Sequence, residues 1–219
     1  MAPMKLVYGF RIKPARFEDW RALNREGDKI VQRLGGHNLR SLAPMAAGPE
    51  SSVQYSTIDF VDGAHLGMFL DAAGRDLESQ TFLDRLAGHN DSPTEMLYSA
   101  TVTEIELDGP KAQGTVMDVW VSRLRAGKFD DAMAFVKQSV PRITETGVVG
   151  VHLYTVEAAG SESGRSVWTA EYENFEAYGR SVDRLAEDKE LHEMARRVQS
   201  GDTPFEVVQH SLMREIPLH

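Results

Sequence analysis

The sequence predicts an α+β fold made of two β-α-β-β-α-β units in tandem, each with an antiparallel sheet. Three observations carry the prediction. The chain repeats itself at a fixed offset, each copy passes through strand and helix patterns in the same order, and a polar linker separates the copies. With residue n set against n+112, Arg11, Phe17, Asp19 and Ala22 fall on Arg123, Phe129, Asp131 and Ala134. Gly35 falls on Gly147, Ala47-Gly48 on Ala159-Gly160, and Glu50-Ser51 on Glu162-Ser163. Thr57, Gly67, Asp76 and Arg85 fall on Thr169, Gly179, Asp188 and Arg197. After one deletion the offset is 111, and Pro93, Glu95, Glu104, Ile105 and Leu107 meet Pro204, Glu206, Glu215, Ile216 and Leu218. Such self-similarity marks a duplicated structural unit.

Each element has its own signal. Met4–Ile12 is rich in apolar and aromatic residues and reads as a strand, closed by Pro14. From Phe17 to Leu34, the residues Phe17, Trp20, Leu23, Ile30, Val31 and Leu34 recur at helical spacing, and Gly35-Gly36 is a stop signal. Strands are expected at about Asn38–Met45 and Val53–Phe60, joined by a Gly48-Pro49 turn. Asp62 is an N-cap for a helix carrying Leu66, Phe69 and Leu70. Gly74 is expected to break that helix and Asp76 to start the next. Gly88–Pro93 is a loop, and Thr94–Leu107 is the last strand of the half. Asp108–Gly114, DGPKAQG, is the linker.

The second half repeats the series. Val116–Leu124 is a strand. The helix from Lys128 to Thr146 shows Phe129, Met133, Val136, Val140 and Ile143 at steps of four and three. Val148–Val156 and Ser166–Tyr172 are strands about a Gly/Ser-rich hairpin. Asn174 caps one helix, Asp188–Gln199 is another, and Phe205–Ile216 closes the chain. The domains are therefore a first repeat at 1–107, a linker at 108–114 and a second repeat at 115–219. In the first half's expected helix, Arg21, Asn24 and Asp28 stand where the matching helix of the second half has Met133, Val136 and Val140. Either the first helix is rotated, with Trp20, Leu23 and Gly27 facing in, or it borders a polar pocket.

Totals exclude several function classes. The 219 residues hold two units of ordinary domain size, and a hydrophobic content of 42% supports packed cores. A net charge of −9 and the lack of any Lys/Arg run argue against nucleic acid and anionic membrane as partners. The absence of cysteine excludes disulfides, thiolate metal sites and cysteine nucleophiles. MAPMKLVYGF lacks the series of regions that makes a signal peptide, and no apolar run is long enough to span a bilayer, so a soluble cytoplasmic protein is expected. Dinucleotide, P-loop and nucleophile-elbow motifs are missing.

The element order of each half is ferredoxin-like, a four-stranded antiparallel sheet with helices on one face. Two such halves would press their bare sheet faces together, and the first strand, apolar on both faces, suits a sheet covered on each side. With this order, the duplication and the Ala-Gly-x-Glu-Ser hairpins at 47–51 and 159–163, the chain resembles the dimeric α+β-barrel superfamily. Its units at Met4–Leu107 and Thr115–Leu218 look like antibiotic biosynthesis monooxygenase (ABM-type) and NIPSNAP-like domains. The resemblance covers nearly the whole chain and implies an α+β barrel formed within one chain. Members include cofactor-independent monooxygenases, isomerases, polyketide cyclases, haem-handling enzymes and domains without known activity. No catalytic motif is shared among them, so the resemblance assigns no residue a role.

Candidate site residues come from the strand patterns. His152 and Tyr154 lie two apart on one strand and share a face. His210 lies on the final strand, where the first half has Ser99. An imidazole ordinarily titrates near neutral pH, so His152 and His210 are the candidate catalytic bases. The alternative for each is a solvated or hydrogen-bonded histidine at a strand edge. Asp118, Trp120 and Ser122 share one face of the fifth strand, where the first half has Leu6, Tyr8 and Phe10. Tyr8, Asp118, Trp120 and Tyr154 are the candidate ligand-binding residues, an apolar wall with a few polar groups. The alternative is a face that meets solvent near a barrel end. Glu171 and Asp59 match each other and read as structural acids, pairing for example with Arg123 or Arg11. The seven histidines (His37, His65, His89, His152, His192, His210 and His219) show no HxH, HxxxH or HExxH spacing, so no metal site is expected. No cofactor is expected either. The expected partner is a small-molecule ligand, with homo-oligomerisation through exposed sheet edges or helices. The functional expectation is a small-molecule enzyme of the monooxygenase type on an apolar or aromatic substrate; the alternative is a non-catalytic binding or interaction module.

Overall fold

The chain runs through one order of strands and helices twice. In order they are β1 (Met4–Ile12), α1 (Phe17–Arg33), β2 (His37–Ala46), β3 (Val53–Phe60), α2 (Gly63–Arg75), α3 (Leu77–Leu83) and β4 (Thr94–Ile105). The second half follows with β5 (Val116–Leu124), α4 (Phe129–Glu145), β6 (Gly150–Ala158), β7 (Arg165–Tyr172), α5 (Phe175–Glu187), α6 (Lys189–Ser200) and β8 (Phe205–Glu215). The computed structural model describes residues 2–47 and 52–218. The Gly48-Pro49 turn, most of the first Ala-Gly-x-Glu-Ser hairpin and His219 lie outside the described residues.

The eight strands close into a barrel in the order β1-β3-β2-β8-β5-β7-β6-β4. Every neighbouring pair is antiparallel. Each half contributes four adjacent strands in the same order, and the halves join at β2–β8 and at β4–β6. Register repeats with the sequence. Met4 faces Phe60 across β1 and β3, and Val116 faces Tyr172 across β5 and β7. The irregularity between Gly9 and Phe10 in β1 recurs between Val121 and Ser122 in β5. Among the described residues no strand is left with an unpaired edge, so the exposed sheet edges expected from the sequence are not there. Closure removes them, because each outer strand of one half pairs with an outer strand of the other.

Alternation sorts the side chains. Val7, Met117, Val119, Leu42, Tyr55 and Met213 pack together inside the barrel. Leu6 and Phe10, one residue out of step, face the helices. Leu6 packs with Val31, Ile58 and Phe69, and Phe10 packs with Trp20, Leu23 and Leu86. The two apolar faces of β1 are thus explained by one helix layer and one interior.

Caps also repeat. Asp62 accepts the His65 amide at 2.9 Å, and Asn174 accepts the Ala177 amide at 2.9 Å. Asp76 accepts from Ser79 at 2.7 Å, and Asp188 from Leu191 at 3.0 Å. The helix break falls at Asp76 rather than at Gly74, which lies inside the last turn of α2. An exposed Gly costs a helix only about 1 kcal/mol, whereas a carboxylate that starts the next helix redirects the chain.

The two readings of α1 turn out to hold together. Trp20, Leu23 and Gly27 face in, and Asn24 and Asp28 are buried beside them. Gly27 leaves room for the Phe82 ring, which a Cβ would strike. Asn24 accepts hydrogen bonds from the Ser41 and Ser56 hydroxyls at 3.1 and 3.3 Å, and its amide donates to the Trp20 carbonyl at 2.9 Å. The stripe of α4 is covered more thinly. Val140 is buried, Met133, Val136 and Ile143 are partly packed, and Phe129 is exposed. No helix of the described residues is long and apolar enough to cross a membrane.

Candidate functional site

Two of the candidate residues sit side by side on β5 because successive outward positions are two residues apart. These are Asp118 and Trp120, and the register of β5 against β8 sets Trp120 opposite His210. The imidazole lies flat on the indole, with ring centroids 3.7 Å apart and planes 23° apart. His210 Nε2 is 2.6 Å from Asp118 Oδ1, and the Trp120 indole N–H donates to Asp118 Oδ2 at 3.0 Å. Both carboxylate oxygens are therefore occupied. With Nε2 committed to Asp118, His210 Nδ1 has no hydrogen-bond partner among the described residues. The His210 side chain is 45% exposed and Asp118 15%.

The openness of this face has a cause in a difference between the two halves. Over β1, the fully buried Trp20 of α1 packs with Phe10, and Tyr8 packs against the same cluster. The residue 112 positions on, in α4, is Ala132. A methyl group stands in place of an indole, and the strand face beneath is left accessible. Where the first half has Leu6, Tyr8 and Ser99, the second has Asp118, Trp120 and His210.

Two tyrosines missed in the sequence border the same carboxylate. Tyr172 and Tyr178 meet edge to face at 5.3 Å. Burial, moderated by a hydrogen bond with Ser181 and reinforced by the Asp118 charge, pushes Tyr172 up to about 12. Burial and the same charge raise Tyr178. Period-2 alternation on β7 sets Tyr172 on the face of Trp168, which lies opposite Trp120; that signal was available but needed the β5–β7 register.

The other candidates lie elsewhere. Tyr8 is on the outer face of β1, stacked on Phe10 at 5.9 Å, and burial raises its phenol. His152 and Tyr154 share a face, and that face is the barrel interior. Their rings stack at 5.9 Å. His152 is buried between carboxylates, with Nδ1 3.0 Å from Glu104 and Nε2 3.8 Å from Glu171. Its Nδ1 is hydrogen-bonded and its Nε2 lies within ion-pair reach of Glu171, so this imidazole sits buried among acids, whereas His210 is open to a ligand. Glu171 and Asp59 pair with Arg40 and Lys5, at 3.0 and 2.5 Å, rather than with Arg123 and Arg11. Arg11 bonds Glu95 instead, and Arg123 is exposed near the opposite strand ends. Among the described residues no group of three or more His, Asp and Glu side chains is placed to hold a metal ion.

No family model and no curated protein matches the chain. Solved structures match it along nearly its whole length. A "putative monooxygenase" from Fusobacterium nucleatum is 13% identical, with a TM-score of 0.65 over 99% of this chain and 93% of that one. An anthrone oxidase-like protein is 13% identical, with a TM-score of 0.61 over 98% and 92%. A mutant chlorite dismutase from Candidatus Nitrospira defluvii is 12% identical, with a TM-score of 0.52 over 99% and 92%. At these identities the likeness establishes the fold, an α+β barrel.

Proposed function

We propose that this chain is a tandem duplication of ABM- and NIPSNAP-like, ferredoxin-like units. It acts in the cytoplasm on an apolar or aromatic small molecule, as a cofactor-independent monooxygenase with His210 as its base. The repeated register and caps support the duplication, and the names of the structural neighbours suit the activity. The observation that carries the reading is the His210–Asp118 bond at 2.6 Å with the imidazole laid on Trp120.

In this arrangement Nε2–H donates to Asp118, which fixes the tautomer and leaves the Nδ1 lone pair toward solvent. A substrate with an acidic CH₂ group, held against the indole, loses a proton to Nδ1. Asp118 stabilises the imidazolium that forms. The carbanion joins dioxygen, which it reduces, and a C–O bond forms. The peroxide takes the proton back from His210. Loss of water then breaks the O–O bond and leaves a carbonyl in place of the CH₂ group. Dioxygen is the only oxidant, and one oxygen atom goes to the product and one to water.

The test is oxygen uptake with an anthrone, on protein first checked by native mass and UV–visible spectrum. Colourless protein of bare chain mass is expected to consume one dioxygen per anthrone, and His210→Ala to lower the rate by about 100-fold or more. Equal rates in both proteins overturn the assignment of the base. A Soret band with extra mass replaces the cofactor-free reading with haem chemistry. The exposure of His210 favours a second reading, a non-catalytic binding module, which predicts no turnover at all.

A further inference from the structure

An eight-stranded barrel is either filled by its inward side chains or left wide enough for one small ligand. Here many inward positions carry small residues, among them Val7, Ala100, Val102, Val119, Val156 and Val167. Opposing side chains of that size do not fill the space. A cavity of about 1040 Å³ remains inside the barrel, and a second chamber of about 670 Å³ shares Lys5, Tyr154 and Glu171 with it. The larger volume is at the upper end of what ligand pockets occupy, about 300–1,000 Å³.

Two polar atoms of the lining are buried without a hydrogen-bond partner among the described residues, Thr169 Oγ1 and Arg165 Nε. Thr169 is 5% exposed, and Tyr154, equally buried, lines the same cavity. These two residues are close on the inward face, since Tyr154 pairs with Val167, two positions from Thr169. Buried polar groups are ordinarily satisfied, so an unpartnered hydroxyl beside the cavity points to a ligand atom. Charges at this end are already matched. Arg40 holds Glu171 and Glu215, Lys5 holds Asp59, and Lys111 holds Glu104.

We propose that the barrel interior, whose lining reaches His210 at one end, is a binding site for an elongated uncharged apolar molecule ending in a carbonyl oxygen. That oxygen accepts from the Tyr154 and Thr169 hydroxyls. Burial, reinforced by the negative charges of Glu104, Asp59 and Glu171, raises the Tyr154 phenol far above its ordinary range. It therefore stays an O–H donor at all ordinary pH. A carboxylate ligand would find the charged cations of the lining already paired, Arg165 with Glu162 included, and would meet Glu171.

The experiment is a fluorescence titration of the full chain with Nile red, a neutral probe with one ring carbonyl. Displacement is tried with 2-tridecanone and with laurate. Saturable binding, displaced by the ketone and not by laurate, is expected. Tyr154→Phe and Thr169→Val should each weaken it about five- to tenfold, and Thr169→Val should leave oxygen uptake with the anthrone unchanged. Thr169→Val is isosteric and carries the test if Tyr154→Phe fails to fold. Three results overturn the proposal: no saturable binding, equal displacement by laurate, or binding of unchanged strength in both hydroxyl variants. Binding is read in Nile red fluorescence and the base in oxygen uptake, so failure of this site and failure of the proposed base are separately visible.

Discussion

Arg40 and His152 occupy corresponding positions on β2 and β6, and each holds the carboxylate of the strand beside it. Arg40 Nη2 lies 2.9 Å from Glu215, and His152 Nδ1 lies 3.0 Å from Glu104. Glu171 joins them. It takes Arg40 Nη1 at 3.0 Å and the Gly114 amide at 2.9 Å, and Arg40 in turn donates to the Gly114 carbonyl at 2.7 Å. The linker is thereby fastened to both halves. The Arg40 and Glu171 side chains are each 4% exposed. Removing one partner of such a pair leaves a charge that the interior solvates poorly. Glu171→Ala is expected to cost about 3 kcal/mol, at the lower end for broken buried pairs because Glu215 still faces Arg40. Urea unfolding measures it. A loss below about 1 kcal/mol would mean that water reaches the cluster.

Glu104 predicts an acid limb. Burial alone would raise its carboxyl, but hydrogen bonds from His152 and Lys111, with their charges, outweigh burial and hold it at about 2. In the unfolded chain a glutamate titrates at about 4.3. The folded value is the lower one, so this carboxylate adds stability above about pH 4.3, and the contribution fades as pH falls toward about 2. Glu104→Gln should therefore be less stable than the parent by a constant amount above about pH 5, with the gap closing between about pH 4.5 and 2. Denaturant midpoints across that range measure the gap. A gap of undiminished size at low pH would assign the effect to packing instead of charge.

Much of this was legible because its signals are local. Strand ends, the caps Asp62, Asp76, Asn174 and Asp188, and the polar segment between the halves all follow from short-range chemistry, and the self-similarity of the sequence sets each element against its match 111 or 112 residues on. Asp118 and Trp120 could be placed on one face by alternation alone. Their meeting with His210 could not, since it depends on the β5–β8 register. Nor could the sequence tell which face of β1 and β5 looks inward, because both are apolar in β1. Arg40 escaped notice for a related reason. Its partners lie 131 and 175 positions away, across a barrel seam that forms only when the halves close. The unfilled interior was invisible too, since it depends on summed side-chain volumes from all eight strands.

The matching caps predict matching penalties. Asp62 and Asn174 each accept one amide at 2.9 Å at the start of α2 and α5. Asp62→Ala and Asn174→Ala should each cost about 1 kcal/mol. For a chain of this size that lowers Tm by about 2–4 °C. The barrel closes through both halves, so each variant should shift one cooperative calorimetric transition as a whole. Two transitions, with each variant moving only one, would show that the halves unfold separately.

Tyr172 reports on the charge at the candidate site. Burial raises its phenol most, the hydrogen bond with Ser181 lowers it, and the Asp118 carboxylate raises it again, to about 12. Ionising the phenol places a second negative charge near Asp118, so removing that carboxylate favours the phenolate. Asp118→Asn should therefore move the Tyr172 titration to lower pH. The reading is phenolate absorbance, taken as the difference between each protein and its Tyr172→Phe derivative. An unchanged Tyr172 curve in Asp118→Asn would mean that solvent screens the carboxylate. Asp118 would then be too well hydrated to stabilise an imidazolium on His210, and the proposed base would lose its orienting partner.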